Sequence, residues 1–334
     1  MAVEWELLAY LSPSLSNKRL SKERALDEHL LIQKYFSNIG SAFLAEHNVE
    51  VSIGDDAAVI SSHKNHDLVN SLDTSIEGVH FLKTMSASDI AYRSCVVALS
   101  DLAASGAHPA WYSLALTLPD ANEAWISDFS KGLSKFSDDY RIPLVGGDTT
   151  KGTLSITVQV MGTVEAGKSV LRSNAKEDQL ILVSGEIGRA YLGLKELTNN
   201  TMLNKKNIDS YLCPKARIDL GLELNGLASA IIDISDGLLQ DLNLICISSE
   251  VGANVYLERI PTPVSDKTIE IINSGDDYEL CFTADKSNFD KILMIGKELN
   301  IPITQIGTTN SSRELVLYNE SNEKLDFNSG YQHF

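Results

Sequence analysis

Apolar and polar positions change rhythm repeatedly along this chain, and each change marks an element. Helical spacing of Leu30, Leu31 and Tyr35 predicts a helix over 28–36, where the globular body begins. Two strands, 49–60 and 67–75, follow with an Asp-rich turn. Ser88 is a fitting N-cap for a helix over 89–105, with Gly106 as its stop before Pro109. Asp101 then falls in the last helical turn, where the macrodipole disfavours an anion by about 0.3–1 kcal/mol and calls for a compensating cation. A strand over 111–118, an amphipathic helix over 123–136, a short strand into VGGDTT and an alternating strand over 154–164 come next.

Near residue 165 the pattern restarts. Strands are expected over 179–184, 230–233, 253–257, 278–283, 303–306 and 315–318, with helices starting at Arg189 and near Gly237 and a third over 289–299. This order predicts an α/β protein with mixed sheets in two domains, 28–165 and 166–334, divided near 164–168. Residues 1–27 carry no catalytic signal and are expected to be an extension of unknown role.

Length agrees with two domains, because 334 residues exceed what one core usually organises. A net charge of −17 argues against a nucleic-acid partner and against anionic membranes. Cys95, Cys213, Cys246 and Cys281 form no CxxC pair and read as buried thiols of a reducing compartment. No stretch approaches the roughly 20 apolar residues of a membrane span, so a cytoplasmic enzyme or binding protein is expected.

The chemistry lies in where the acids fall. IGDDAAV, DTSIEGVHF, SDLAASGA, VGGDTT and IIDISDGL each put aspartate beside glycine or at the end of an apolar run. Such ends hold a side chain rigidly at a sheet rim, and their recurrence suggests one convergent acidic site. Two carboxylates about 4 Å apart repel by about 4 kcal/mol at an effective dielectric near 20. Bringing Asp56, Asp73, Asp101, Asp148, Asp233 and Asp236 together therefore requires cations. An all-oxygen set suits Mg²⁺, which keeps positions open for substrate phosphates, and phosphoryl transfer is the reaction that needs this most. Any one of these aspartates, taken alone, is more often an ordinary turn or cap residue, and it is their recurrence that favours a site.

Other residues stay ambiguous. The pair Gly146 and Gly147 would let backbone approach a phosphate or simply form a hairpin turn. Arg172 is a phosphate fork or a solvated surface arginine, and His80 an anion contact or a satisfied, partly buried histidine. Asp276 and Asp277 in SGDDYEL sit between a glycine turn and a strand. GTVEAGKS, residues 162–169, matches the spacing of a phosphate-binding P-loop. A P-loop needs a helix starting at the lysine, and the short polar run after Lys168 predicts a turn instead.

In this order, IGDDAAV, DTSIEGVHF, SDLAASGAHPAW, GGDTT, IDISDGL and SGDDYELCF resemble the thiamine-monophosphate kinase family, within the aminoimidazole-ribonucleotide synthetase superfamily. The resemblance runs from about residue 28 to the C-terminus. It implies an N-terminal domain whose sheet pairs across a homodimer, a C-terminal α/β domain, and ATP with several Mg²⁺ between them. The reaction implied is direct γ-phosphoryl transfer to thiamine monophosphate, the last step of thiamine diphosphate biosynthesis. Matched positions imply Asp56, Ser71, Asp73, Asp101, Asp148, Asp233 and Asp236 as magnesium ligands, with Asp73, Asp101 and Asp148 central to catalysis. Gly147, Asp148, Arg172 and Ser235 match ATP contacts, and His80, Asp276 and Tyr331 match contacts to thiamine monophosphate. Leu72 stands where the family often has threonine, and Asp276 where it often has glutamate. The alternatives are a sister ATP-dependent enzyme of the purine-biosynthesis type, and a non-catalytic module that binds nucleotide or divalent cations for regulation.

Overall fold

The computed structural model describes residues 28–55, 57–61, 64–199, 204–265, 268–327 and 330–331. Asp56 and the expected extension over 1–27 lie outside the described residues. In chain order the elements are α1 (Glu28–Tyr35), β1 (Val49–Val51), β2 (Val59–Ile60), β3 (His66–Ile76), α2 (Ala87–Ala104), β4 (His108–Leu118), α3 (Glu123–Tyr140), β5 (Leu144–Lys151) and β6 (Ser155–Glu165). They continue as β7 (Leu180–Ser184), α4 (Arg189–Asn199), α5 (Lys205–Leu212), α6 (Ile218–Glu223), β8 (Ala228–Asp233), α7 (Leu238–Ser249) and β9 (Gly252–Tyr256). The last are α8 (Ile269–Ile272), β10 (Leu280–Ala284), α9 (Phe289–Glu298), β11 (Ile303–Asn310), β12 (Leu315–Tyr318) and β13 (Lys324–Leu325).

Most of the expected elements form, with local corrections. The extended stretch over 49–60 splits into β1 and β2, which pair antiparallel around the Asp-rich turn. The helix begins before Asp89: Ser86, not Ser88, is its N-cap, accepting the Asp89 N–H at 3.0 Å and donating to the Asp89 carboxylate at 2.7 Å. The Ser88 N–H turns to Asp128 at 3.1 Å. Gly146 and Gly147 lie inside β5, opposite Ser113 and Leu114 of β4, so they form no hairpin turn. After Lys168 there is only the short turn Arg172–Asn174, which rules out a P-loop helix. The short α5, α6, α8 and β13 have no pattern that announces them, because elements this short are stabilised by docking rather than by periodicity.

Apart from the β1-β2 pair, two sheets hold the strands. The smaller has the order β3-β6-β4-β5, antiparallel except for β4 with β5, which α3 joins as a crossover. The larger has the order β13-β12-β9-β11-β7-β10-β8, with only β12 and β9 parallel. Helix α2 lies between them, against β3 and β6 on one side and α6 and β8 on the other. One apolar core therefore runs from Val158 and Val160 of β6 through Leu99 and Leu102 of α2 to Ile231 of β8 and Phe282 of β10. A helix buried on almost every side is apolar almost all round, as α2 is. A Cβ on Gly221 of α6 would stand 2.0 Å from the Ala103 carbonyl oxygen, so this glycine lets α6 reach the last turn of α2.

Strand alternation assigns β3 two faces. Ser71, Asp73 and Ser75 point toward α2, whereas Leu68, Leu72 and Ile76 point outward and are 60%, 56% and 39% exposed.

Candidate active site

The acidic residues meet where the inner face of β3, the end of α2 and the end of β8 converge. Ser71 and Asp73 come from β3, Asp101 from the last turn of α2, Asp233 from the final residue of β8, and Asp236 from the turn before α7. The Ser71 hydroxyl donates to the Asp101 carboxylate. Compensation expected from a cation is thus provided first by a hydroxyl, with Arg172 lining the same cleft of about 460 Å³ beside Ser71, Asp101 and Ile231.

The electrostatics record this crowding. Burial pushes the Asp73 carboxyl up to about 6, and the charges of Asp101 and Asp236 add to it. Asp233, buried more deeply, is pushed up to about 8 by desolvation and then by Asp101, against the opposing pull of the nearby Ser100 hydroxyl and Arg172. These carboxylates disfavour one another's charged forms, and with the Ser71 hydroxyl they make an all-oxygen donor set of the kind hard divalent cations take. Among the described residues, no group of three His, Cys, Asp or Glu side chains closes to ligating geometry.

Asp241 was not singled out from the sequence. Its buried carboxylate accepts the backbone N–H groups of Ser235, Asp236 and Gly237 at 3.0, 3.1 and 3.1 Å, which shapes the turn that carries Ser235 and Asp236. Burial and Asp236 push its carboxyl up to about 7. An aspartate soon after the glycine that opens a helix was the available signal.

His80 and Asp276 are joined through a second residue that sequence reasoning missed. Arg93 of α2 pairs with the Asp276 carboxylate and donates from Nε to the His80 carbonyl at 3.4 Å. His80 Nδ1 accepts the Ile76 N–H at 3.0 Å, which closes its own turn. The Tyr331 N–H donates to the Asp236 carbonyl at 2.9 Å, and the Tyr331 carbonyl accepts from Gln240 Nε2 at 2.8 Å. Tyr331 is thereby attached to the acidic cluster.

Asp148 and Gly147 stand elsewhere, along a cleft of about 820 Å³ lined also by Asp55, Trp111 and Met161. Among the described residues, no hydrogen bond or ion pair joins Asp148 to the other site aspartates.

Residues 54–164 match the AIR synthase related protein N-terminal domain, and residues 176–319 the corresponding C-terminal domain. A thiamine-monophosphate kinase of Haemophilus influenzae is 40% identical over 330 residues, covering 93% of this chain and 98% of that one. Among solved structures, a thiamine-monophosphate kinase from Stenotrophomonas maltophilia is 36% identical with a TM-score of 0.80, covering 88% of this chain and 97% of that one. AaThiL complexed with AMPPCP and TMP is 26% identical with a TM-score of 0.73, covering 95% and 100%. The chain belongs to the AIR synthase related proteins and, within them, to the thiamine-monophosphate kinase family.

Proposed function

We propose that this chain phosphorylates thiamine monophosphate with ATP, giving thiamine diphosphate and ADP by direct in-line transfer, the last step in making that cofactor. The observation that carries this reading is the meeting of Ser71, Asp73, Asp101, Asp233 and Asp236 beside Arg172, in a chain of this family. The attacking phosphate oxygen is already anionic, so positioning and charge neutralisation supply most of the catalysis, with no covalent enzyme intermediate.

Asp73, Asp101, Asp233 and Asp236, with the Ser71 hydroxyl, would hold Mg²⁺ ions; Asp148, from its own cleft, and Asp56, outside the described residues, are proposed for the same set on their matched family positions alone. Bound Mg²⁺ supplies neutralisation of the phosphate oxygens. Arg172 reaches the cleft as a planar fork suited to phosphate. Gly147 and Ser235 are read as ATP contacts, and His80, Asp276 and Tyr331 as contacts to thiamine monophosphate.

The outward face of β3 supports a homodimer. Leu68, Leu72 and Ile76 make an apolar stripe on an edge strand, the kind of surface that a second copy covers. Leu72 belongs to this face rather than to the metal side. The domain roles follow: 28–165 for ATP, Mg²⁺ and dimerisation, and 166–334 to complete the site, with the matched family segments as support. Free Cys95, Cys213, Cys246 and Cys281 accord with a reducing cytoplasm, and no helix among the described residues is long and apolar enough to cross a membrane.

The test is ADP release by the purified protein with ATP and Mg²⁺, comparing thiamine monophosphate, free thiamine, purine-pathway precursors and no acceptor. Turnover only with thiamine monophosphate, abolished by EDTA, is expected. ATP binding without transfer to any acceptor would replace this reading with a regulatory one.

A further inference from the structure

Arg93 sits within α2 with its side chain 6% exposed, among apolar helix neighbours. Its guanidinium donates in three directions: Nη2 to Asp276 Oδ1, Nη1 to the Tyr211 carbonyl at 2.5 Å, and Nε to the His80 carbonyl at 3.4 Å. It stacks 4.5 Å from the Tyr211 ring centroid and 6.0 Å from that of Tyr278. Burial alone would lower its pKa, but Asp276, with Tyr278 and Tyr211, outweighs this and holds it above its ordinary value. The guanidinium is a fixed charge between three segments distant in sequence.

Asp276 is equally constrained. Its φ of 70° and that of Tyr278, 52°, lie in the left-handed region that non-glycine residues rarely enter. The loop is held there because the Asp276 N–H donates to the Ser235 carbonyl at 2.8 Å and the Tyr278 N–H to the Ile234 carbonyl at 2.9 Å. The Tyr278 hydroxyl donates to Asp276 Oδ1 at 2.8 Å, so that oxygen is engaged twice. Among the described residues, Asp276 Oδ2 has no hydrogen-bond partner.

We infer that Arg93 is a positioning residue for the phosphate-accepting substrate: it fastens Asp276 to the turn that carries His80, so that both present one preformed surface. This rests on the kinase reading given above. With Oδ1 neutralised by the guanidinium, Oδ2 is the acceptor left for an N–H group of the substrate. The shorter aspartate, where the family often has glutamate, suits this arrangement because its carboxylate is anchored by Arg93 rather than extended freely.

Steady-state kinetics on the wild type and on Arg93→Met, Arg93→Lys and Tyr278→Phe, varying ATP and thiamine monophosphate separately and with thermal melts alongside, test the inference. Arg93→Met is expected to raise KM for thiamine monophosphate by about tenfold or more, the scale of losing the charge-assisted hydrogen bond that anchors Asp276, with KM for ATP held within about twofold. Arg93→Lys keeps the charge but not the three-way fork and is expected to recover part of that loss. Tyr278→Phe is expected to raise the same KM by about threefold without a fall in melting temperature. If Arg93→Met does not fold, Arg93→Lys and Tyr278→Phe decide on the same criterion. Parallel increases in KM for both substrates, or an unmoved acceptor KM, would overturn the role of Arg93 alone. A wild type that never phosphorylates thiamine monophosphate would overturn the kinase reading, and this inference with it.

Discussion

The Ser71 hydroxyl on β3 donates to the Asp101 carboxylate in the last turn of α2, tying an edge strand to the helix end where an anion is least favoured. Ser71→Ala removes that donor from a partly buried carboxylate. The metal-free protein is expected to lose about 1 kcal/mol of stability, read by urea unfolding, and the Mg²⁺ concentration for half-maximal turnover is expected to rise.

The raised carboxyls make the metal-free protein sensitive to pH. Asp73 sits at about 6 and Asp233 at about 8, both above the usual aspartate value, from burial first and neighbouring carboxylates second. A carboxyl that holds its proton more tightly when folded stabilises the protein fully below its unfolded pKa, and that contribution is lost as pH rises through the folded value. In EDTA, the melting temperature is expected to fall from about pH 5 to about pH 8, and added Mg²⁺ to restore most at the higher pH, where the ligands are ionised. A melting temperature that climbs over this range in EDTA would contradict the crowded-carboxylate picture.

Asp148→Asn is expected to lower turnover at least about 10²-fold, as loss of an electrostatic anchor for a transferring phosphoryl group does. Lys168→Ala is expected to leave most of the activity, because the Lys168 N–H merely closes a turn onto the Glu165 carbonyl at 2.9 Å. The reverse ranking would remove Asp148 from the proposed catalytic set.

The two glycines of VGGDTT are not equivalent. A Cβ on Gly147 would stand 1.9 Å from the Leu114 carbonyl oxygen, whereas one on Gly146 meets nothing within 4 Å. Gly147→Ala is expected to destabilise the protein by about 1–3 kcal/mol through overpacking between β4 and β5. Gly146→Ala is expected to unfold in urea at nearly the wild-type midpoint.

Charges placed on the outward stripe should break the proposed dimer. Leu68→Glu combined with Leu72→Glu is expected to halve the mass measured by light scattering while leaving the fold intact, since both side chains are exposed in the protomer. A wild type that is already monomeric at micromolar concentration would remove the dimer from the reading.

Local pattern made much of this protein legible. The strict alternation of β6 follows from its period, whereas the long apolar run of α2 and the short, fully buried runs of β7 and β10 follow from run length and the turn residues that bound them. Whereas Asp73 lies inside β3 and enters the site by strand alternation, the positions of Asp101, Asp233 and Asp236 at or just past element ends were also readable, because the chain must expose polar groups where apolar runs stop. Arg93 was not. Its acceptors come from His80, Tyr211 and Asp276, and no spacing within one helix announces partners so far apart.

By itself, the sequence determined the type and order of most elements, the acidic stock of the site and the family, because each rests on residues adjacent in the chain. Tertiary structure alone decided that α2 is buried between two sheets, that Leu72 faces outward while Asp73 faces in, and that one buried guanidinium joins His80 to Asp276. The physical reason is that burial, charge crowding and hydrogen-bond partnership belong to surfaces brought together by folding, and a one-residue step along a strand is enough to change which surface a side chain joins.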